Sequence, residues 1–210
     1  FDTYKVRGTS MHARRVLTTV FSAVFAVMVG DIVQAQDRMP RIPAEQMTAE
    51  QKQAIAEFTR LRNSPVTGSF ATLLRSPELM VRASAVGEYV RRSVLPASLY
   101  EFVVLITARR FDQQYVWDAH YQPARDAGVT TKLLEDLTEG QVPTVLTDDQ
   151  RILWDLLDEL HRTNRVSDAT YGRALARFGE KGVIDVVGTS GYYAFLGMVM
   201  NTTQTQGIGG

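Results

Sequence analysis

From Thr48 to Met200 apolar residues recur at helical spacing in segment after segment, and no stretch sustains the period-two alternation of a half-buried strand. A chain patterned this way buries its apolar stripes by packing helix on helix, so the fold class is all-α. Thr48 is placed to cap a helix over 49–62, where Ile55, Phe58 and Leu61 recur every third position; Pro65 ends it near Asn63. A short helix follows Gly68 over 70–74, and Pro77 opens another that runs to about 93. Pro96 starts a helix over 97–110. Asp112 is expected to cap the next, over 113–127, with Pro123 kinking it and Gly128 closing it. Further helices are predicted over 130–137, 147–162, 167–178 and 181–200. At 184–189, IDVVGT is the one stretch whose β-branched content would also suit a strand.

Composition narrows the function classes. With 210 residues, 45% of them hydrophobic, the chain can bury the core of one globular domain. Basic and acidic residues balance at 23 each with no basic run longer than a pair, so the electrostatic footprint of a nucleic-acid binder is missing. Cysteine is absent, which excludes disulfides, thiolate nucleophiles, thiol redox centres and cysteine zinc sites. Of three histidines one lies near the N-terminus and His161 has no partner histidine at metal spacing, so no metal site is expected. Gly188-x-x-Gly191 lacks the strand and lysine of a phosphate loop, and no nucleophile elbow occurs.

The N-terminal residues read separately. Met11-His-Ala-Arg-Arg precedes the apolar run VLTTVFSAVFAVMVG, the layout of a secretory signal over 11–35 with cleavage expected after Ala35. The destination is then periplasmic or extracellular, with no stable membrane insertion after cleavage; an uncleaved anchor is the alternative, although the run falls short of the ~20 residues a span prefers. Residues 1–10 form an extension of unclear origin, 36–46 a proline-bearing linker, 47–201 the domain and 202–210 a polar, glycine-rich flexible tail.

Glu101 and His120 are nineteen residues apart. On one straight helix they would be separated by about 28 Å. The Arg110-Phe-Asp112 break falls almost midway, so a reversal there would bring the carboxylate and the imidazole level on facing helices. Such a pair orients the ring as a general acid or base; the bland alternative is a solvated glutamate and a surface or satisfied core histidine. Arg109 and Arg110 could hold a substrate carboxylate in a bidentate contact, or simply suit a helix C-terminus. Tyr115 and Trp117, like Tyr192, Tyr193 and Phe195, read either as pocket walls or as core and subunit interface.

Gly68-Ser-Phe70, Leu-x-Ser-Pro-Glu over 74–78, Glu101 with Ala108-Arg109, Tyr115-x-Trp117-x-x-His120 and Ala127-Gly128-Val129 together resemble the carboxymuconolactone decarboxylase-like family, over 47–201. That family shares its fold with the alkyl hydroperoxidase D-type peroxidases. The resemblance implies an alkyl hydroperoxidase D-like helical fold with a central antiparallel hairpin, assembly as a homotrimer or homohexamer, and a small-molecule substrate with no cofactor. It also implies catalytic roles for His120 (acid/base), Glu101 (orienting) and Tyr115 (oxyanion donor), with Arg109, Trp117, Phe70, Val116 and Gln113 binding substrate. The peroxidase branch carries a Cys-x-x-Cys pair where this chain has Gln113 and Val116, so thiol peroxidase chemistry is closed. Decarboxylase members have Tyr-Glu-Trp where this chain has Tyr115-Val116-Trp117, which counts against the namesake reaction. The expectation is an exported, cofactor-free lyase or isomerase acting on a small aromatic or carboxylated molecule. The alternative is a catalytically silent oligomeric binding protein of the same fold.

Overall fold

The computed structural model describes residues 37–205. Residues 1–36, with the expected extension, signal and cleavage site, lie outside the described residues, as do 206–210. The described part holds α1 (Ala49–Arg62), α2 (Ser69–Leu73), α3 (Pro77–Arg91), α4 (Ala97–Arg110), α5 (Gln114–Asp126), α6 (Thr131–Thr138), α7 (Asp148–Thr163) and α8 (Asp168–Thr203), preceded by a 3-10 turn at Ala44–Gln46. No strand occurs among the described residues. Residues 184–189 are helical within α8: Val186 and Thr189 are buried on one face while Ile184 and Val187 are exposed on the other, the three-residue spacing of a helix rather than the alternation of a strand.

The caps explain most of the boundaries. Thr48 and Gln51 form a reciprocal capping box at the start of α1, and Thr147 and Gln150 do the same for α7. Asn63 and Asn164 end α1 and α7 in the left-handed conformation. The cap of α5 differs from expectation. Asp112 turns left-handed at φ 48° and Gln113 is the N-cap, its side-chain oxygen accepting from the Tyr115 amide at 2.7 Å. The α8 segment is continuous across the boundary expected between two helices, but Gly179 (φ 68°, ψ 174°) breaks its geometry there. The helix runs to Thr203, two residues into the expected tail, and the Thr203 carbonyl accepts from the Arg38 amide at 2.8 Å. That bond also docks part of the linker onto the domain.

The α4 helix is the centre of the molecule. Residues 102–108 are all buried, as a helix apolar on every face must be. It packs against α5, α7, α8 and α6. Complete burial of Phe102, Val103, Val104 and Leu105 contributes roughly 1.5–3 kcal/mol per large side chain. The α8 helix is long and apolar enough to cross a membrane by length and composition, yet 61% of its most apolar window is buried inside the chain. The α4–α5 reversal at Phe111, Asp112 and Gln113 makes the antiparallel hairpin.

Asp136, on α6, is a buried charged anchor. Its carboxylate accepts from Lys132 Nζ at 2.6 Å and from the Thr144 amide and hydroxyl at 2.8 Å each, tying the α6–α7 loop down. The Lys132 contact first, then the two Thr144 bonds, hold its pKa down to about 2 from an ordinary 3.8. Because the folded-state value is depressed, this stabilisation is complete above the unfolded pKa and is lost as pH falls from about 3.8 toward 2. Asp136→Asn is expected to flatten the acid limb of a stability-versus-pH curve in that window. An unchanged acid limb would show that Asp136 does not carry it.

Candidate active site

The hairpin brings the two separated residues into contact. His120 Nδ1 lies 2.7 Å from Glu101 Oε2, both side chains nearly buried at 11% and 13% exposure. A carboxylate can only accept, so Nδ1 carries a proton, and the neutral ring keeps its lone pair on Nε2. The Nε2 atom has no hydrogen-bond partner among the described residues. The ring is held edge-on by Tyr193, with centroids 5.0 Å apart, and Tyr193 in turn shares a 2.6 Å hydroxyl–hydroxyl bond with Tyr100.

His120 opens onto a cavity of about 180 Å³. Val116 and Ala119 of the same helix, Ser69 and Phe70 of α2, Tyr115, and Tyr192, Tyr193 and Leu196 of α8 form its walls. Two arginines complete it. Arg62 lies over the Phe70 ring at 5.0 Å and faces Glu88 at 3.3 Å. Arg91 has neither a hydrogen bond nor an ion pair within hydrogen-bonding range among the described residues. The Tyr192 hydroxyl is buried without a hydrogen-bond partner. Burial pushes its pKa up to about 12, with Arg62 and Arg91 pulling the other way, and burial likewise pushes Tyr193 well above the ordinary phenol. Both hydroxyls therefore stay protonated at neutral pH; that of Tyr193 is engaged with Tyr100, where either oxygen could donate, and that of Tyr192 is left available.

No family model matches the chain and no curated protein matches it. Among solved structures, a protein of unknown function from Agrobacterium tumefaciens, described as a candidate antioxidant defence protein AhpD, is similar with a TM-score of 0.54 and 18% identity over 65% of this chain and 94% of its own. The fold is alkyl hydroperoxidase D-like.

Within that fold the expected site residues divide into two groups. Glu101, His120, Tyr115, Phe70 and Val116 are together: Tyr115 stands between the His120 cavity and a neighbouring one of about 310 Å³. Arg109, Trp117 and Gln113 are not among the residues lining the His120 cavity. The Arg109 guanidinium stacks on Trp117 at 4.4 Å from the ring centroid and borders a different cleft, because it lies eight residues beyond Glu101, about 12 Å farther along α4. The Gln113 amide is committed to structure: it caps α5 and donates to Asn201 Oδ1 at 2.6 Å, while Asn201 donates to the Phe111 carbonyl. Arg62 and Arg91 are site residues that the sequence does not single out. They end helices, where basic residues are commonplace, and no spacing links α1, α3 and α5 before the chain is folded.

Proposed function

We propose that this chain is a cofactor-free enzyme that moves a proton on a small carboxylated or aromatic molecule, by decarboxylation, a lyase step or isomerisation. The observation that carries the reading is the 2.7 Å Glu101–His120 contact beside a cavity, with Nε2 unengaged. In this reading Glu101 fixes the tautomer, and Nε2 takes a proton from substrate carbon and returns it elsewhere on the molecule. In a decarboxylation Nε2 instead first takes a proton from solvent and delivers it to the carbanion left when carbon dioxide departs. Negative charge developing on a substrate oxygen meets the hydroxyl of Tyr115 or Tyr192 and the guanidinium of Arg91. Arg91 takes over the anchoring role expected of Arg109, since it lines this cavity and lacks a partner.

The test is a turnover screen of the purified protein against small lactones, keto acids and aromatic acids, read by mass spectrometry with chromatographic separation of isomers. A product is expected, and Arg91→Met is expected to raise KM for the carboxylated substrate roughly tenfold to hundredfold with a smaller change in kcat. No product from any panel member, together with tight binding of one, would support the second reading: a silent oligomeric binding protein. That reading is favoured by the narrowness of the cavity, which Phe70, Tyr192 and Tyr193 crowd. The Agrobacterium neighbour's antioxidant description does not carry over as thiol chemistry, because this sequence contains no cysteine.

Export and assembly into a trimer or hexamer complete the proposal. Ile184 and Met198, at 69% and 55% exposure on α8, support an assembly surface. A monomeric mass by light scattering would remove it.

A further inference from the structure

A second cleft, of about 340 Å³, lies where the end of α4 meets the α6–α7 loop and α7. Arg109 borders it and is anomalous. Its Nε is sealed from solvent with no acceptor, and its guanidinium makes no hydrogen bond or ion pair among the described residues; its cation stacks on Trp117 instead. The helix macrodipole accounts for a cation at the end of α4. It does not account for a guanidinium that is partly desolvated and left without an acceptor, which is a standing cost unless something else supplies one.

The surroundings define what would fit. Arg110 reaches the same cleft while donating to the His161 carbonyl at 2.8 Å. His161 is engaged through Nε2 with Ser190 Oγ at 2.8 Å; burial, then Arg110, lowers its pKa against the opposing pull of Asp158, so it adds no charge at neutral pH. Asp158 is exposed at the rim, 3.6 Å from Arg162. Two guanidiniums against one carboxylate leave the cleft positive, and Ile106, Leu137, Val142 and Trp154 supply apolar walls.

We infer that this cleft is a binding site, separate from the His120 cavity, for a small organic carboxylate with a flat apolar body, whose carboxylate meets Arg109 and whose body lies against Trp154. The chain has two tryptophans: Trp154 lines the cleft and Trp117 stacks on Arg109, whereas no tryptophan lines the His120 cavity. Tryptophan emission therefore reports on this cleft. Titrating the full chain with benzoate is expected to give a saturable emission change, at least tenfold weaker in Arg109→Gln and unaltered in His120→Ala, with acetate binding far more weakly. Val142→Glu, at a position 63% exposed that tolerates a charge, places a like charge at the rim and is expected to weaken benzoate several-fold even if Arg109→Gln fails to fold. The inference is overturned by the absence of a saturable change, by a change that His120→Ala removes and Val142→Glu leaves intact, or by acetate binding as tightly as benzoate.

Discussion

His120→Ala is expected to lower turnover by roughly two to four orders of magnitude, the range that a positioned acid or base contributes, while the protein stays folded. His120 is buried, with 8% exposure, but its neighbours are mostly aromatic and held by other contacts: Tyr193 by Tyr100, Phe70 by Phe58 and Arg62. Removing the ring leaves Glu101 without its partner, at a cost of about 1–3 kcal/mol. Water can relieve part of that, because the carboxylate side chain is 13% exposed. Glu101→Gln keeps a hydrogen bond but removes the charge and the tautomer preference, so it is expected to be slower than wild type and faster than His120→Ala. Since the two residues act as one unit, the double variant should be no slower than His120→Ala alone. Multiplicative losses in the double variant, or a His120→Ala protein with most of its rate, would take the proton chemistry away from this pair.

How much of this is legible in the sequence depends on whether a feature is local. Helix existence and most boundaries follow from period and caps: Thr48, Asn63, Pro77, Pro96 and Thr147 each work through atoms within a few residues along the chain. The hairpin is readable for the same reason, since a break midway between two residues puts them level whatever else the chain does. The cap expected at Asp112 falls one residue later because both Asp112 and Gln113 can accept from the first turn of α5. The choice goes to Gln113 because its amide also reaches Asn201 on α8, a contact 88 residues away. The proposed anchor differs from the expected one for a related reason. Arg109 is close to the break in sequence and so looks close to the site, but helical phase carries it to Trp117, while Arg91 arrives from α3, which no pairwise spacing along the sequence could locate.

Gly68→Ala is expected to damage both stability and activity, although it adds one methyl group. Gly68 has φ 54° and ψ −134°, a backbone conformation that L side chains rarely adopt, and imposing it on alanine costs about 1–3 kcal/mol. A Cβ there would also lie 2.5 Å from Tyr115 Cζ and 2.8 Å from its hydroxyl oxygen, so the ring that separates the two cavities has to move. Gly128→Ala separates the two terms. Gly128 has φ 94°, but an added methyl would meet nothing within 4 Å, so alanine there bears backbone strain alone. Gly68→Ala should therefore cost more than Gly128→Ala in a urea melt and should lower turnover, whereas Gly128→Ala should leave turnover near that of wild type. Combining Gly68→Ala with Tyr115→Ala provides the internal check. If the ring contact matters, the double variant recovers part of the stability and the two changes are strongly non-additive. Additive losses would mean that Gly68 is required for its backbone alone, and that Tyr115 owes its position in the cavity wall to other contacts.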